Sequence, residues 1–300
     1  MLDHQRSGLI YAVAGFASLS VGDAVVKSMA GAWPAFAVAA LRFSLGATGL
    51  ALLLWKSEGP SAFIPSHPWL QVARGICLAV ASVSFFSAIY LMPLAEAMAI
   101  AFLSPVLTQL LAGVVLRETV HRRVWIASAA AFAGVLIVLR PNLTELGVAA
   151  LLPLNSALFM ALLMICNRAS AGQGSALSMQ VFMAAICAPI LIIGAAAAKL
   201  SGIPALDFGW PSGEVVLRCA IVAVTASTAH WLVYIGAARA GAAAIAPATY
   251  VQMLVAITLG WWWFGDRPDF ATLAGAALIV GSGLYLWRAS ARGALPIESE

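Results

Sequence analysis

Two stretches decide the fold: RGICLAVASVSFFSAIY at residues 74–90 and RCAIVAVTASTAHWLVY at residues 218–234. They align at a constant offset of 144, pairing Arg74 with Arg218, Phe86 with His230 and Tyr90 with Tyr234. Each is apolar enough, and nearly long enough, to supply the roughly 20 residues that a helix needs to cross a bilayer. Further along, Phe102 falls opposite Tyr250, Ser104-Pro105 opposite Gln252-Met253, and Glu118 opposite Asp266. Ala130 and Gly134 then match Ala277 and Gly281 with one residue of slippage.

Working outward, charges and Pro/Gly breaks divide the chain into ten apolar segments. They lie near 9–29, 34–55, 70–91, 94–116, 123–140, 146–167, 177–198, 215–236, 242–264 and 270–287. The shortest connection is Leu91-Met92-Pro93; only Pro93 keeps the third and fourth segments from merging into one, which would leave nine spans. Matching segments stand five spans apart, so the two halves must run in opposite directions through the membrane. The expectation is an all-α integral membrane protein of ten transmembrane helices in two inverted five-helix repeats. Residues 1–140 form the first repeat, 141–145 a connecting loop, 146–288 the second repeat and 289–300 a cytoplasmic tail. The first apolar segment is longer than a signal-peptide core and carries Asp23 and Lys27, so it is expected to be retained.

Composition agrees. Of 300 residues, 63% are hydrophobic and 9% charged, against about 25% charged in soluble chains, and the mean hydropathy is +0.97. That excludes a soluble enzyme, a secreted disulfide domain and a nucleic-acid binder, and makes the lipid bilayer the main partner. Cys77, Cys166, Cys187 and Cys219 are scattered without CxxC spacing, as small buried hydrophobes would be, and no metal or cofactor is indicated.

The net charge of +4 is spread singly between apolar runs and speaks to orientation. With the N-terminus inside, Arg6, Lys56, Arg117, Arg122, Arg123, Arg168, Arg239, Arg288 and Arg292 are cytoplasmic, while Lys27, Arg140, Lys199 and Arg267 lie opposite. The bias puts both termini in the cytoplasm and Trp261, Trp262 and Trp263 at the outer interface.

Several motifs carry a family resemblance. Leu41-Arg42-Phe43, Ala95-Glu96-Ala97, Ser104-Pro105 followed thirteen residues later by Glu118, and the Gly134 segment resemble the EamA-type repeat of the drug/metabolite transporter superfamily. The second half supplies Gly265-Asp266 and the run GAALIVGSGL at 275–284, the most specific stretch. Arg117, Met253 and Asp266 depart from the Gly, Pro and Glu usual in that family. The resemblance implies a ten-helix carrier, not an enzyme, that moves small metabolites by alternating access, most often outward. Size and cytoplasmic termini are similar to those of bacterial inner-membrane amino-acid exporters, including YddG-type exporters of aromatic amino acids.

Polar side chains inside spans are costly and mark candidate function. On the eighth span Ser227, His230, Trp231 and Tyr234 form a polar and aromatic stripe, mirrored by Val83, Phe86, Ser87 and Tyr90 on the third. The two faces suit either a cavity wall or interhelical packing. Ser104 and Pro105 in the fourth span, and Pro247, Tyr250 and Gln252 in the ninth, mark helix breaks, and Asn155 is placed mid-way along the sixth. Gln252 and Asn155 can each donate to a carboxylate and accept from an ammonium, or serve as interhelical glue. Asp23 and Lys27, at i and i+4, suggest a helical ion pair. Arg42 either holds a substrate carboxylate or meets a helix-end carbonyl, and Glu96 pairs with a base or a helix N-terminus. His230 and Glu96 are the candidate proton carriers, with facilitated movement as the alternative. Ala130/Gly134 and Ala277/Gly281 are expected to pack the fifth and tenth spans together.

No carboxylate is expected at the midplane, which favours a neutral or zwitterionic solute. The expected substrate is therefore an amino acid, aromatic or otherwise, recognised broadly. Export of drugs or other metabolites, uptake, and a non-transporting membrane subunit are the alternatives. No GxGD, serine or HExxH protease motif occurs, and the sequence assigns no oligomeric state.

Overall fold

Helix follows helix along the chain in a computed structural model that describes residues 2–115, 122–170, 172–203, 206–241 and 245–291. In order the helices are α1 (Leu2–Lys27), α2 (Ala35–Glu58), α3 (Pro68–Leu91), α4 (Leu94–Ala101), α5 (Ser104–Val115) and α6 (Arg122–Leu146). There follow α7 (Leu152–Ala169), α8 (Ala176–Leu200), α9 (Gly213–Ala240), α10 (Val251–Phe264) and α11 (Phe270–Ala291). Arg117, Glu118, Arg292, the start of the ninth segment at 242–244 and the tail from 292 lie outside the described residues.

Nine helical segments among the described residues are long and apolar enough to cross a bilayer, with α4 and the start of α5 counted as one over Leu94–Gly113. The ninth span of the sequence pattern is instead divided into a 3₁₀ turn, Ala246–Tyr250, and the 14-residue α10. The fourth is divided at Phe102-Leu103 between α4 and α5. Both breaks stand at repeat-related positions, and the rings of Phe102 and Tyr250 meet there with centroids 5.5 Å apart. Prolines open these segments rather than kink them: Pro105 is the second residue of α5 and Pro247 lies in the first turn of the 3₁₀ segment, where a missing N–H costs little. Pro93 likewise precedes α4 and keeps it distinct from α3.

Two boundaries differ from expectation. Helix α6 continues through 141–145, expected as a connecting loop, and stops before Gly147, whose φ of 57° ends it. Helix α11 runs on to Ala291, into the stretch expected to be tail.

The pairing of helices obeys the repeat. α1 packs against α9 and α3 against α7, while α2 meets α8 and α6 meets α11. Exchanging the halves turns the first pair into the second and each of the others into itself. Glycines bring α1 and α9 together: a Cβ at Gly15 would lie 2.8 Å from the Ala229 carbonyl, and one at Gly8 2.7 Å from Ala240 Cβ. Close backbone approach of this kind is what joins helices where lipid removes the hydrophobic drive. In the α6–α11 seam a Cβ on Gly134 would lie 2.7 Å from the Gly275 carbonyl, and the converse holds at 2.7 Å. The expected partner, Gly281, has nothing near it and lines an open groove with Ala130, Ala277 and Tyr285. The observed and expected partners, Gly275 and Gly281, stand six residues apart, less than two turns of helix.

The contacts also fix direction. Lys27, at the end of α1, donates to the Met92 carbonyl just past the end of α3. Ser28 meets Arg218 near the start of α9, whereas Asn167 near the end of α7 meets Arg74 near the start of α3. Equivalent helices α1 and α7 therefore point to opposite ends of the bundle, an inverted arrangement. Met29, Ile89 and Leu94, all fully buried, fill the Lys27 end.

Candidate functional site

Arg42 lies two turns into α2, below this apolar plug. Its guanidinium stands 4.3 Å from the Phe43 ring centroid and 5.4 Å from that of Phe86 on α3. Such contacts stabilise a cation but satisfy none of its N–H groups. Arg42 makes no hydrogen bond to any described residue, and its Nε is buried without a partner. The helix-end carbonyl considered from sequence is absent among the described residues.

Around it, Asp23 of α1, Cys187 of α8, and Cys219 and His230 of α9 lie within electrostatic reach. Asp23 and Arg42 nevertheless form no ion pair at 4.0 Å or less. By accessible surface Asp23 and Arg42 are partly buried, whereas His230 is exposed. The site is assembled from both halves: α1, α2 and α3 of the first, α8 and α9 of the second.

Asp23 overturns one expectation. It is not the partner of Lys27. Lys27 Nζ instead pairs with Asp266 Oδ2 at 2.8 Å, with side chains only 12% and 20% accessible. Asp266 Oδ2 also accepts from the Leu94 N–H at 3.4 Å. A carboxylate at the N-terminus of α4 gains from the free amides there, so this partner, 239 positions distant, outcompetes the one four residues away.

Of the other candidates, Phe86 lies against Arg42, and the contacts of the following ones lie elsewhere. Trp231 continues the exposed seam of Leu217 and Val224 along α9; the three are 61%, 66% and 63% exposed in chain order. At seven-residue spacing they share one face, turned about 100° from His230. Ser227 donates to its own helix at the Ala223 carbonyl. The Tyr250 hydroxyl occupies the space that a Cβ on Gly283 would take, so it packs the ninth segment on α11. The Gln252 side chain donates to Thr249 Oγ1 at 3.2 Å, and its backbone carbonyl accepts from Ser20 Oγ at 2.9 Å. Asn155, in the first turn of α7 rather than its middle, donates to Ser84 Oγ at 2.8 Å and so ties α7 to α3. Glu96 is buried and accepts from Thr272 of α11 at 3.5 Å. Ser104 and Pro105 line a recess of about 570 Å³ between α5 and α7, with Gln109, Met164, Asn167 and Arg168.

Cys187 and Cys219 near Arg42 were not singled out from sequence, whereas Tyr90 was, on the stripe with Phe86. The Tyr90 signal was present in sequence, one helical turn beyond Phe86 on the same face; the cysteines gave none, being indistinguishable from packing. Among the described residues no group of three His, Cys, Asp or Glu could hold a metal ion.

The EamA-like transporter family matches residues 6–140 and 147–287. A riboflavin transporter of Rhizobium johnstonii is 27% identical over 233 residues, 78% of this chain and 74% of the relative. An S-adenosylmethionine uptake transporter of Rickettsia felis is 22% identical over 282 residues, covering 93% and 92%. The pseudopaline exporter CntI of Pseudomonas aeruginosa is 28% identical over 293 residues, covering 96% and 98%. A solved crystal structure shares the fold, with a TM-score of 0.60 and 19% identity over 94% of this chain and 98% of that one. Two copies of the family pattern, an inverted helix arrangement and relatives that all carry small solutes lead to one conclusion: the chain belongs to the EamA-like transporter family of the drug/metabolite transporter superfamily.

Proposed function

We propose that this transporter exports amino acids and related zwitterions by alternating access, with the Arg42 site as its binding centre. The observation that carries the proposal is the open charge pair. Asp23 of α1 and Arg42 of α2 lie within electrostatic reach of each other but out of contact, close to Cys187 and Cys219 of the second half. Charges set this deep are costly unless paired. An α-amino acid supplies both missing partners at once, its carboxylate for Arg42 and its ammonium for Asp23. Phe43, Phe86 and His230 offer apolar and aromatic surface for its side chain.

The relatives support small-solute transport and differ in direction, one named as an exporter and others for uptake. S-adenosylmethionine itself carries an amino-acid head, the chemistry that an arginine and a carboxylate would meet. The riboflavin relative favours a second reading, movement of a larger planar solute. The export direction, a bacterial inner membrane and cytoplasmic termini rest on the family resemblance and the basic-residue bias.

Flux of labelled solutes in proteoliposomes of known protein orientation tests the proposal. Saturable outward movement of neutral amino acids is expected. Movement of riboflavin or nucleoside derivatives without competition by any amino acid would contradict it.

A further inference from the structure

Tyr90 follows Phe86 by one turn on α3, so both side chains lie on the face that meets Arg42. Its hydroxyl is buried and has no hydrogen-bond partner among the described residues. Tyr90 and Arg42 share a neighbour as well, since both lie within electrostatic reach of Cys219 on α9. Two side-chain atoms able to donate, the Tyr90 hydroxyl and Arg42 Nε, are thus buried and unsatisfied in the neighbourhood of Phe86 and Cys219. Buried polar groups are normally paired, and two orphan donors sharing these neighbours suit an acceptor between them. Asp23, the nearby acceptor of the chain itself, supplies neither a hydrogen bond nor an ion pair.

We propose that Tyr90 is a specificity-determining residue: its hydroxyl and Arg42 Nε together form the subsite for the substrate carboxylate, and so select acids over their amides. This deepens the amino-acid reading above and rests on it. A phenol donates one short, directional hydrogen bond, and a bond to a charged acceptor is stronger than one to a neutral oxygen. An acid gains the full benefit from both donors, whereas a carboxamide of the same solute offers only a neutral oxygen and brings a second donor into a donor-lined corner. The phenol therefore adds discrimination that the guanidinium, surrounded by rings, supplies less sharply alone.

The test compares wild type with Tyr90→Phe, using phenylalanine and phenylalaninamide as probes for proteoliposome flux and ligand-induced thermal shift. Wild type should move the acid and discriminate against the amide. Y90F should raise the half-saturating acid concentration about 10- to 100-fold, as expected for one lost bond to a charged group, with little change for the amide. Its ligand-free melting temperature should equal or exceed that of wild type, because the hydroxyl removed has no partner. An unchanged acid-to-amide ratio would overturn the inference, as would a Y90F protein that melts lower or fails to fold, for then the hydroxyl is structural. Wild type that moves neither probe would instead refute the amino-acid reading on which the inference rests.

Discussion

Arg74 and Arg218, 144 positions apart in sequence, each tie one half to the other, at opposite ends of the bundle. Arg74 Nε donates to Asn167 Oδ1 at 2.7 Å and its Nη1 to the Met179 carbonyl at 3.1 Å, crossing from the first half to the second. Arg218 Nη1 donates to the Ser28 carbonyl at 2.7 Å and to Ser28 Oγ at 2.9 Å, crossing from the second half to the first. Each also holds a polar side chain one turn earlier on its own helix, Gln71 and Glu214 respectively. Symmetry-related ties of this kind are the discrete contacts that a rocking motion between halves must break in turn.

Removing either tie should loosen one end alone. Native thiols report it, because Cys166 lies near the Arg74 end while Cys219 is buried beside Met29 at the other. Arg74→Ala should raise maleimide labelling of Cys166 and Arg218→Ala that of Cys219, resolved by peptide mapping. Equal labelling of both thiols in either variant would refute separate ties.

The Lys27–Asp266 pair should behave as a buried one. Lys27→Met or Asp266→Asn alone should destabilise by about 3 kcal/mol, as breaking a buried pair does. Replacing both with apolar residues should recover part of that loss. A double-mutant cycle on thermal stability in detergent checks this, and additive effects would show that the pair is uncoupled.

This pair also marks the limit of what sequence conveys. Spans, repeat and inversion are legible because apolar length and an odd offset leave few arrangements, and Phe102 and Tyr250, matched in sequence, do touch. Arg42, Phe86 and His230 are legible as candidates because a polar or aromatic group in a span stands out. The partner of Lys27 is not, since a helical i,i+4 rule sees only neighbours. Nor is the exposure of Trp231, because an indole suits lipid and cavity alike.

Packing at the α6–α11 seam separates two similar glycines. Gly134→Val should cost about 1–3 kcal/mol through overpacking against the Gly275 carbonyl and Ile279. Gly281→Ala should be neutral or slightly stabilising, with open space around it. Melting temperatures of the two variants decide, and equal losses would contradict the seam.

Outside the spans, Asp269 accepts the Thr272 N–H at 2.7 Å and caps α11; that backbone bond, with the Thr272 hydroxyl, holds its carboxyl below the usual range. A depressed folded value means that the cap contributes fully above the unfolded value of about 3.9 and is lost as pH falls through the folded one. Relative to wild type, Asp269→Ala should therefore show its greatest loss of melting temperature near neutral pH and a smaller loss in acid. A pH-independent difference would contradict the cap.

The central claim is that Arg42 and Asp23 receive the two charged ends of an amino acid. The most direct measurement is binding of a labelled neutral amino acid to purified wild type, Arg42→Ala and Asp23→Ala, each shown to be folded by its melting curve. The account predicts saturable binding by wild type that is weakened at least about tenfold in both variants, the scale of one lost charged partner. Binding that persists unchanged in Arg42→Ala, or is absent from wild type, would contradict it.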